Sequence, residues 1–133
     1  MENKNKIIST PYGDKNIKVY DYLYGNRLAI FLTDDEGDFS DITVNLTDAT
    51  IYDIDEGFIN SNFDSENGRK FINKLKTIGI IKYSYGFMNY NMGTYELVKF
   101  DLNKLKEYDE VGVEKYINKV TDLNIENILN PRI

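Results

Sequence analysis

The spacing of apolar and polar residues predicts a β-hairpin near the amino terminus. Within residues 17–24 apolar and polar side chains alternate, and Asp21 is the one charged residue on the otherwise apolar face. A period of two is typical of a strand that buries one face. An uninterrupted apolar run at 28–32 follows a Gly-Asn pair, so we predict two paired strands over residues 16–33.

The next segments predict a turn, a strand and a loop. Residues 34–41 are acidic and contain Gly37, which is typical of a turn. Residues 42–46 are β-branched and alternating, and predict a third antiparallel strand. Between 47 and 63, short apolar pieces are broken by acids and asparagines, which predicts an ordered loop with at most one short strand.

A helix is predicted after this loop. Asp64 or Ser65 can accept hydrogen bonds from the first free amides of a helix, and Gly79 can end it. Apolar residues recur at helical spacing between these positions. They are Phe71, Ile72, Leu75 and Ile78.

The carboxyl-terminal half predicts two more strands and a helical end. The strands cover residues 80–85 and 94–100, are joined through 86–93 and are expected to pair with each other. Short helices are predicted from Asp101 to Tyr108, over 111–120 and over 123–129.

Together these elements predict an α+β fold. We expect a small antiparallel sheet of about five strands, with one helix packed on it and a helical C-terminal segment. A chain of 133 residues is near the usual size of one domain. We therefore expect one domain over residues 1–133, with a core at about 7–108 and a helical extension at about 109–133.

The composition limits the kinds of catalytic site and indicates a cellular location. The chain has no histidine and no cysteine, which excludes thiol nucleophiles, histidine-based triads and the usual zinc sites. We predict no cofactor. The charged amino terminus has no apolar stretch typical of a signal peptide, and no run approaches a membrane span, so we expect a soluble cytoplasmic protein.

Charge is divided unequally along the chain. No basic residue lies between Arg27 and Arg69, whereas residues 28–68 contain eleven acids. The rest of the chain carries sixteen basic residues against eleven acids. This pattern indicates either solvated loops that keep the protein soluble, or an acidic face that binds a basic partner.

Two groups of residues are predicted to bind a partner. The first is the acidic run Asp34, Asp35, Glu36, Asp38 and Asp41. The second consists of aromatic residues around the predicted glycine-flanked loop, namely Tyr85, Phe87 and Tyr90. Tyrosine and phenylalanine give large contact areas at binding surfaces, although the same residues could line the edge of a sheet core.

Other kinds of site have less support in the sequence. The acidic segments at 34–38 and 53–57 lack the ligand spacing of a calcium loop, and no glycine-rich phosphate motif is present. The overall acidity argues against direct binding of nucleic acid. Two alternatives remain. One is an enzyme that uses Asp53 and Asp55 as a carboxylate pair or as ligands of a divalent metal ion, and the other is a protein that sequesters a small ligand.

Several short segments resemble a family of small bacterial proteins known as domain of unknown function 4313. The resemblance depends on the order and spacing of six segments between about residues 8 and 105. They are Thr10-Pro11-Tyr12-Gly13, Leu28-Ala29-Ile30, Thr43-Val44-Asn45-Leu46, Phe58-Ile59-Asn60-Ser61-Asn62, Gly86-Phe87-Met88-Asn89-Tyr90 and Phe100-Asp101-Leu102. The family is similar to cargo of mobile elements in low-GC bacteria and implies no catalytic residues.

The resemblance and the charge pattern lead to one functional hypothesis. We expect a non-catalytic protein, carried by a mobile element or phage, that blocks a host defence system by binding, as an anti-CRISPR protein does. Its partner would be a protein. The most specific form of the hypothesis is that this partner is an effector whose basic surface holds nucleic acid.

Overall fold

The computed structural model describes residues 5–51, 53–90 and 93–129, and it describes the backbone alone for Asp38 and for 123–129. These residues form an α+β fold of strands, two α-helices and one short 3-10 helix. The strands are β1 (Ile8–Thr10), β2 (Gly13–Asp21), β3 (Leu28–Asp34), β4 (Gly37–Asp41), β5 (Thr43–Val44), β6 (Glu56–Ile59), β7 (Ile81–Tyr90) and β8 (Gly93–Phe100). The helices are α1 (Glu66–Thr77) and α2 (Leu102–Leu129), and the 3-10 helix is Ser61–Phe63.

The strands form two antiparallel sheets of four strands each. The first has the order β1-β2-β3-β4, and the second has the order β5-β6-β8-β7. Ile42 links them, because its amide donates to the carbonyl of Ile30 at 2.9 Å and its carbonyl accepts from the amide of Asn60 at 2.9 Å. The predicted α+β class and antiparallel pairing are confirmed, but the single sheet of about five strands was wrong.

One missing strand lies in the acidic segment. Residues 37–41 were predicted to be part of a turn, whereas they form β4 and pair with β3. The turn itself contains only Asp35 and Glu36, with Gly37 at a φ of 118°. Charged side chains are compatible with an edge strand because its outer face meets water and charge discourages pairing with other chains.

Strand β7 is longer than its sequence predicted. Residues 86–90 were predicted to belong to a connecting loop, but they continue β7 and pair with β8. Gly86 allows this continuation because it adopts a φ of 93° next to a bulge between Ser84 and Gly86. The predicted pairing of these two strands is confirmed.

The predicted helix after the acidic loop is also confirmed. The Ser65 side chain accepts a hydrogen bond from the Gly68 amide at 3.1 Å, and Gly79 ends the helix with a φ of 87°. Its apolar face enters the main hydrophobic core, to which both sheets and both helices contribute. The buried residues of α1 are Gly68, Phe71, Ile72 and Leu75.

Helix α2 consists of two segments that meet at Asp109. Asp109 has φ −154° and ψ 77°, which is outside the helical region. Its Oδ1 accepts from the Gly112 amide at 3.1 Å, so Asp109 caps the segment that follows, just as Asp101 caps the first segment through the Lys104 amide. The second segment, residues 110–129, packs on β2 and contributes Val113, Tyr116 and Val120 to the main core.

A second, smaller core lies on the second sheet. Phe58 and Leu97 are its buried centre, together with Ala49 from the loop that precedes β6. Arg27 holds this loop in place by donating to the carbonyls of Leu46 at 2.7 Å and Ala49 at 2.6 Å. Leu46 and Ala49 are therefore fixed to Arg27, and the one short strand that the sequence allows within 47–63 is β6.

Candidate functional site

The β3–β4 hairpin carries the five predicted acidic residues. Asp34 ends β3, Asp35 and Glu36 form the turn, and Asp41 ends β4. Asp38 lies in β4 opposite Thr33, and its side chain is outside those that the structure describes. The hairpin is part of the four-stranded first sheet, and its turn lies at one end of that sheet.

The acidic residues of this hairpin differ in their surroundings. The Asp34 carboxylate accepts from the Glu36 amide at 2.9 Å and from Lys15 Nζ at 3.2 Å. These two hydrogen bonds, the backbone one first, lower the pKa of Asp34 below its ordinary value. Asp34 therefore stabilises the turn, whereas the Asp35 and Glu36 side chains are exposed to solvent and available to a partner.

Two aromatic rings that the sequence did not single out lie beside this turn. Tyr12 and Phe39 are 40% and 43% exposed, and their ring centroids are 5.6 Å apart. The Lys15 ammonium lies 4.1 Å from the centre of the Phe39 ring, which fixes that ring over the strand. The pair places exposed apolar surface directly beside the carboxylates of the turn.

Strand pairing explains why these residues meet. Asn16 pairs with Thr33, so the β1–β2 turn and the β3–β4 turn lie at the same end of the first sheet. Exposed Asp14 belongs to the same end. We refer to this surface as the acidic tip. It consists of Tyr12, Asp14, Asp34, Asp35, Glu36 and Phe39.

The remaining acids of residues 28–68 do not extend the acidic tip into one large face. Asp53 and Asp55 lie beside the second sheet, where Lys99 Nζ is 3.4 Å and 3.0 Å from their carboxylates. Hydrogen bonding to Asp55, and then the charges around it, raise the pKa of Lys99. Glu66 pairs with Lys70 on α1 at 3.6 Å. The charge run in the sequence is thus divided between separate surfaces.

The ion pairs of Lys99 concern the two residues that a carboxylate-dependent enzyme would use. Lys99 contacts both Asp53 and Asp55, the two residues proposed for that role. Within the described part of the chain, no three carboxylates come together in a way that could hold a metal ion.

The predicted aromatic residues lie on β7 but in three different environments. Phe87 is 58% exposed and packs over the Arg69 guanidinium, whose central carbon is 5.4 Å from the ring centre. Tyr85 is 41% exposed, and a hydrogen bond with the Glu56 carboxylate, together with burial, raises its pKa. Tyr90 packs edge-on against Phe58 at 5.3 Å and belongs to the smaller core. Phe87 and Tyr85 therefore remain candidates for contact, and Tyr90 has a structural role.

A buried charge network lies beneath Phe87. The Glu96 side chain is 1% exposed and accepts from Arg69 at 2.8 Å, Lys76 at 2.7 Å and Ser84 at 2.6 Å. Burial raises the pKa of Glu96, but the hydrogen bonds from Lys76, Ser84 and Arg69 outweigh burial and leave it below its ordinary value. This network ties α1 to β7 and β8.

Comparison with known proteins gives a family and no closer relative. The sequence model of one family, described as Domain of unknown function (DUF4313), matches residues 16–120. No curated protein and no solved structure matches the chain. In the described ranges, no helix is both long enough and apolar enough to cross a membrane.

Proposed function

Because the chain belongs to the DUF4313 family, which is defined by a domain of unknown function, we propose a function from its surface. The protein is a non-catalytic binding protein that attaches its acidic tip to a basic surface of another protein. The observation that carries this proposal is the exposed Tyr12–Phe39 pair beside the exposed Asp35 and Glu36 side chains.

The acidic tip combines the two parts of a protein-binding surface. Aromatic rings at the centre of an interface supply most of the apolar area that binding removes from water. Charged groups around them select a partner of opposite charge and speed the first encounter. The tip is also rigid, since paired strands and the Asp34 hydrogen bonds hold its backbone, and little conformational entropy is lost on binding.

The charge of the acidic tip determines the class of partner. Among the residues that the structure describes, Lys15 is the one basic residue in contact with it, and this lysine already pairs with Asp34. A surface rich in lysine and arginine is the complement of the remaining carboxylates, and such surfaces normally hold nucleic-acid phosphates. The partner we propose is therefore a nucleic-acid-binding effector, which the tip occupies in place of its nucleic acid.

This mode of action suits an anti-defence protein of a mobile element or phage, such as an anti-CRISPR protein. The small size of the chain and its lack of histidine and cysteine agree with that role. Its frequent asparagine, isoleucine, lysine and tyrosine are typical of proteins from AT-rich genomes, such as those of low-GC bacteria and their mobile elements. The inhibitor would act by occupying the effector stoichiometrically, and it would need no catalytic group.

The test compares two triple variants with equal change in charge. The first removes charge from the acidic tip through Asp14→Asn, Asp35→Asn and Glu36→Gln. The control removes charge from exposed positions elsewhere through Asp48→Asn, Asp64→Asn and Glu114→Gln. Both proteins and the wild type are used as bait in lysates of a low-GC bacterium with an active CRISPR system, and captured proteins are identified by mass spectrometry.

Binding of the captured protein is then measured at two salt concentrations, with and without its nucleic acid. We expect a basic nucleic-acid-binding protein whose affinity falls about tenfold or more in the tip variant and is unchanged in the control. Salt should weaken wild-type binding more than it weakens binding of the tip variant, and nucleic acid should compete. Equal affinity of the two triple variants, or binding that nucleic acid does not displace, would refute the proposal.

A further inference from the structure

A groove runs along the junction of β2 and the second segment of α2. Its volume is about 480 Å³, within the range of roughly 300–1,000 Å³ that is typical of small-ligand sites. Residues 18–21 of β2 line one side, six residues of α2 between Asp109 and Lys119 line the other, and Asn5 completes the lining. The groove is distinct from the acidic tip and contains none of its residues.

The floor of the groove is fixed by Asp109 and Gly112. Asp109 is 6% exposed, and its Oδ2 accepts from the Val19 amide at 2.9 Å while its Oδ1 accepts from Gly112. A side chain at position 112 would collide with the Val19 carbonyl, so glycine allows the helix to approach the strand. Both walls are therefore rigid, which favours a preformed site over one that must assemble around its ligand.

Three lysines surround the opening of this groove. Lys18 comes from β2, and Lys115 and Lys119 lie four residues apart on one face of α2. Lys119 pairs with Asp21 at 2.8 Å. Lys18 and Lys115 have no ion-pair partner among the residues that the structure describes, so both ammonium groups can bind an added anion.

The same groove offers apolar surface next to these charges. Tyr20 is 51% exposed and Val111 is 59% exposed, and both line the groove together with Tyr116. An exposed tyrosine ring next to lysines can stack on a flat ring while the lysines bind a phosphate. A bare inorganic ion would leave this apolar surface unused.

We propose that the groove binds a small molecule that carries a phosphate group next to an aromatic ring. Lys18 and Lys115 bind the phosphate and Tyr20 covers the ring, whereas Lys119 remains paired with Asp21, so the charges of these two residues offset each other. The site needs no glycine-rich phosphate loop, because side chains from a strand and a helix supply the charge.

This site goes beyond the proposed function and can be tested separately from it. Asp14 in the acidic tip and Tyr20 in the groove are six residues apart on β2, which corresponds to roughly 20 Å along a strand. Loss of one binding activity therefore leaves the other measurable.

Adenosine monophosphate, adenosine and inorganic phosphate are suitable probes. Each is titrated to about 10 mM into the isotopically labelled full chain while backbone amide signals are recorded by NMR. We expect adenosine monophosphate to produce saturable shifts at residues 18–21 and 109–119, and to bind more tightly than either of the other two probes. Absence of saturable shifts there overturns the proposal.

Two double variants locate the charge requirement. Lys18→Gln with Lys115→Gln should weaken binding of adenosine monophosphate about tenfold or more. The control, Lys70→Gln with Lys82→Gln, changes two exposed lysines outside the groove and should bind like the wild type. Equal weakening in both variants overturns the assigned site. If adenosine binds as tightly as adenosine monophosphate, the site does not require the phosphate. If inorganic phosphate binds as tightly as adenosine monophosphate, the site does not require the ring, and either result overturns the proposal.

Discussion

Replacement of Gly112 with alanine tests how closely helix α2 approaches β2. A Cβ at this position would lie 2.1 Å from Asp109 Oδ2 and 2.6 Å from the Val19 carbonyl oxygen, well inside contact distance. Neither atom can move without loss, because Oδ2 accepts the Val19 amide and the carbonyl belongs to a paired strand. Relief of the overlap must weaken the two hydrogen bonds of the Asp109 carboxylate.

The expected cost follows from these bonds and from helix propensity. Two hydrogen bonds to a charged acceptor contribute roughly 1.5–3 kcal/mol each. Alanine in place of glycine stabilises a helix by about 1 kcal/mol at an interior position, and by no more than that in the first turn, where Gly112 lies. Since we expect the two hydrogen bonds of Asp109 to be weakened without both being broken, Gly112→Ala should lower the free energy of unfolding by about 2–4 kcal/mol. Helix propensity alone predicts the opposite sign.

Urea unfolding followed by circular dichroism measures this difference. Asn118→Ala is the matched control, because Asn118 is an exposed position of the same helical segment and alanine there should be neutral or slightly stabilising. In an Asp109→Ala background the carboxylate overlap is gone, so Gly112→Ala should cost less than in the wild type. A Gly112→Ala protein as stable as the wild type would show that the helix does not pack this closely on β2.

Two further changes test the contacts that hold the second sheet. Glu96→Gln leaves Arg69 and Lys76 without their carboxylate, and since both cations are partly exposed we expect a loss of about 2–3 kcal/mol in urea unfolding at neutral pH. Because the pKa of Glu96 is lower in the folded protein, its ionised carboxylate stabilises the fold at pH values above its pKa in the unfolded chain, about 4.3. This contribution disappears as the pH falls through the pKa of the folded protein, so the difference in free energy of unfolding between wild type and variant should narrow in acid. A difference that stays constant with pH would contradict this assignment. Lysine at position 27 cannot make both hydrogen bonds to the Leu46 and Ala49 carbonyls. Arg27→Lys should therefore lower the free energy of unfolding by roughly 1–2 kcal/mol and speed amide hydrogen exchange over residues 46–50. Unchanged exchange there would show that the guanidinium does not hold the loop.

Elements with strong local signals could be predicted from the sequence. Alternation over β2 and the apolar run of β3 specify a hairpin, and Ser65 with its apolar spacing specifies α1. Strand β4 could not be predicted in this way. Its acids and glycine are typical of a turn, and its strand conformation depends on backbone pairing with β3, which the local sequence does not reveal.

The candidate site was predictable only in part, for a similar reason. The acids of the β3–β4 turn are neighbours in sequence, so their grouping required no tertiary information. Tyr12 and Phe39 are far apart in sequence, and they meet because the β2–β3 register places two turns at one end of the sheet. The role of Asp109 was also hidden, since it depends on the amide of Val19, a residue of β2.

Strand β2 relates the two proposed binding surfaces to the unequal charge of the sequence. Its first residues adjoin the carboxylates that follow β3, and its last residues adjoin the lysines of α2. Salt screens charges over about 10 Å at 0.1 M ionic strength, which is shorter than the roughly 20 Å between Asp14 and Tyr20. Each surface therefore presents its own sign of charge to solvent, although the whole chain has a formal net charge of −6. A basic protein at the acidic tip and an organic phosphate in the groove are consequently compatible on one molecule, because neither ligand has to overcome the field of the opposite surface.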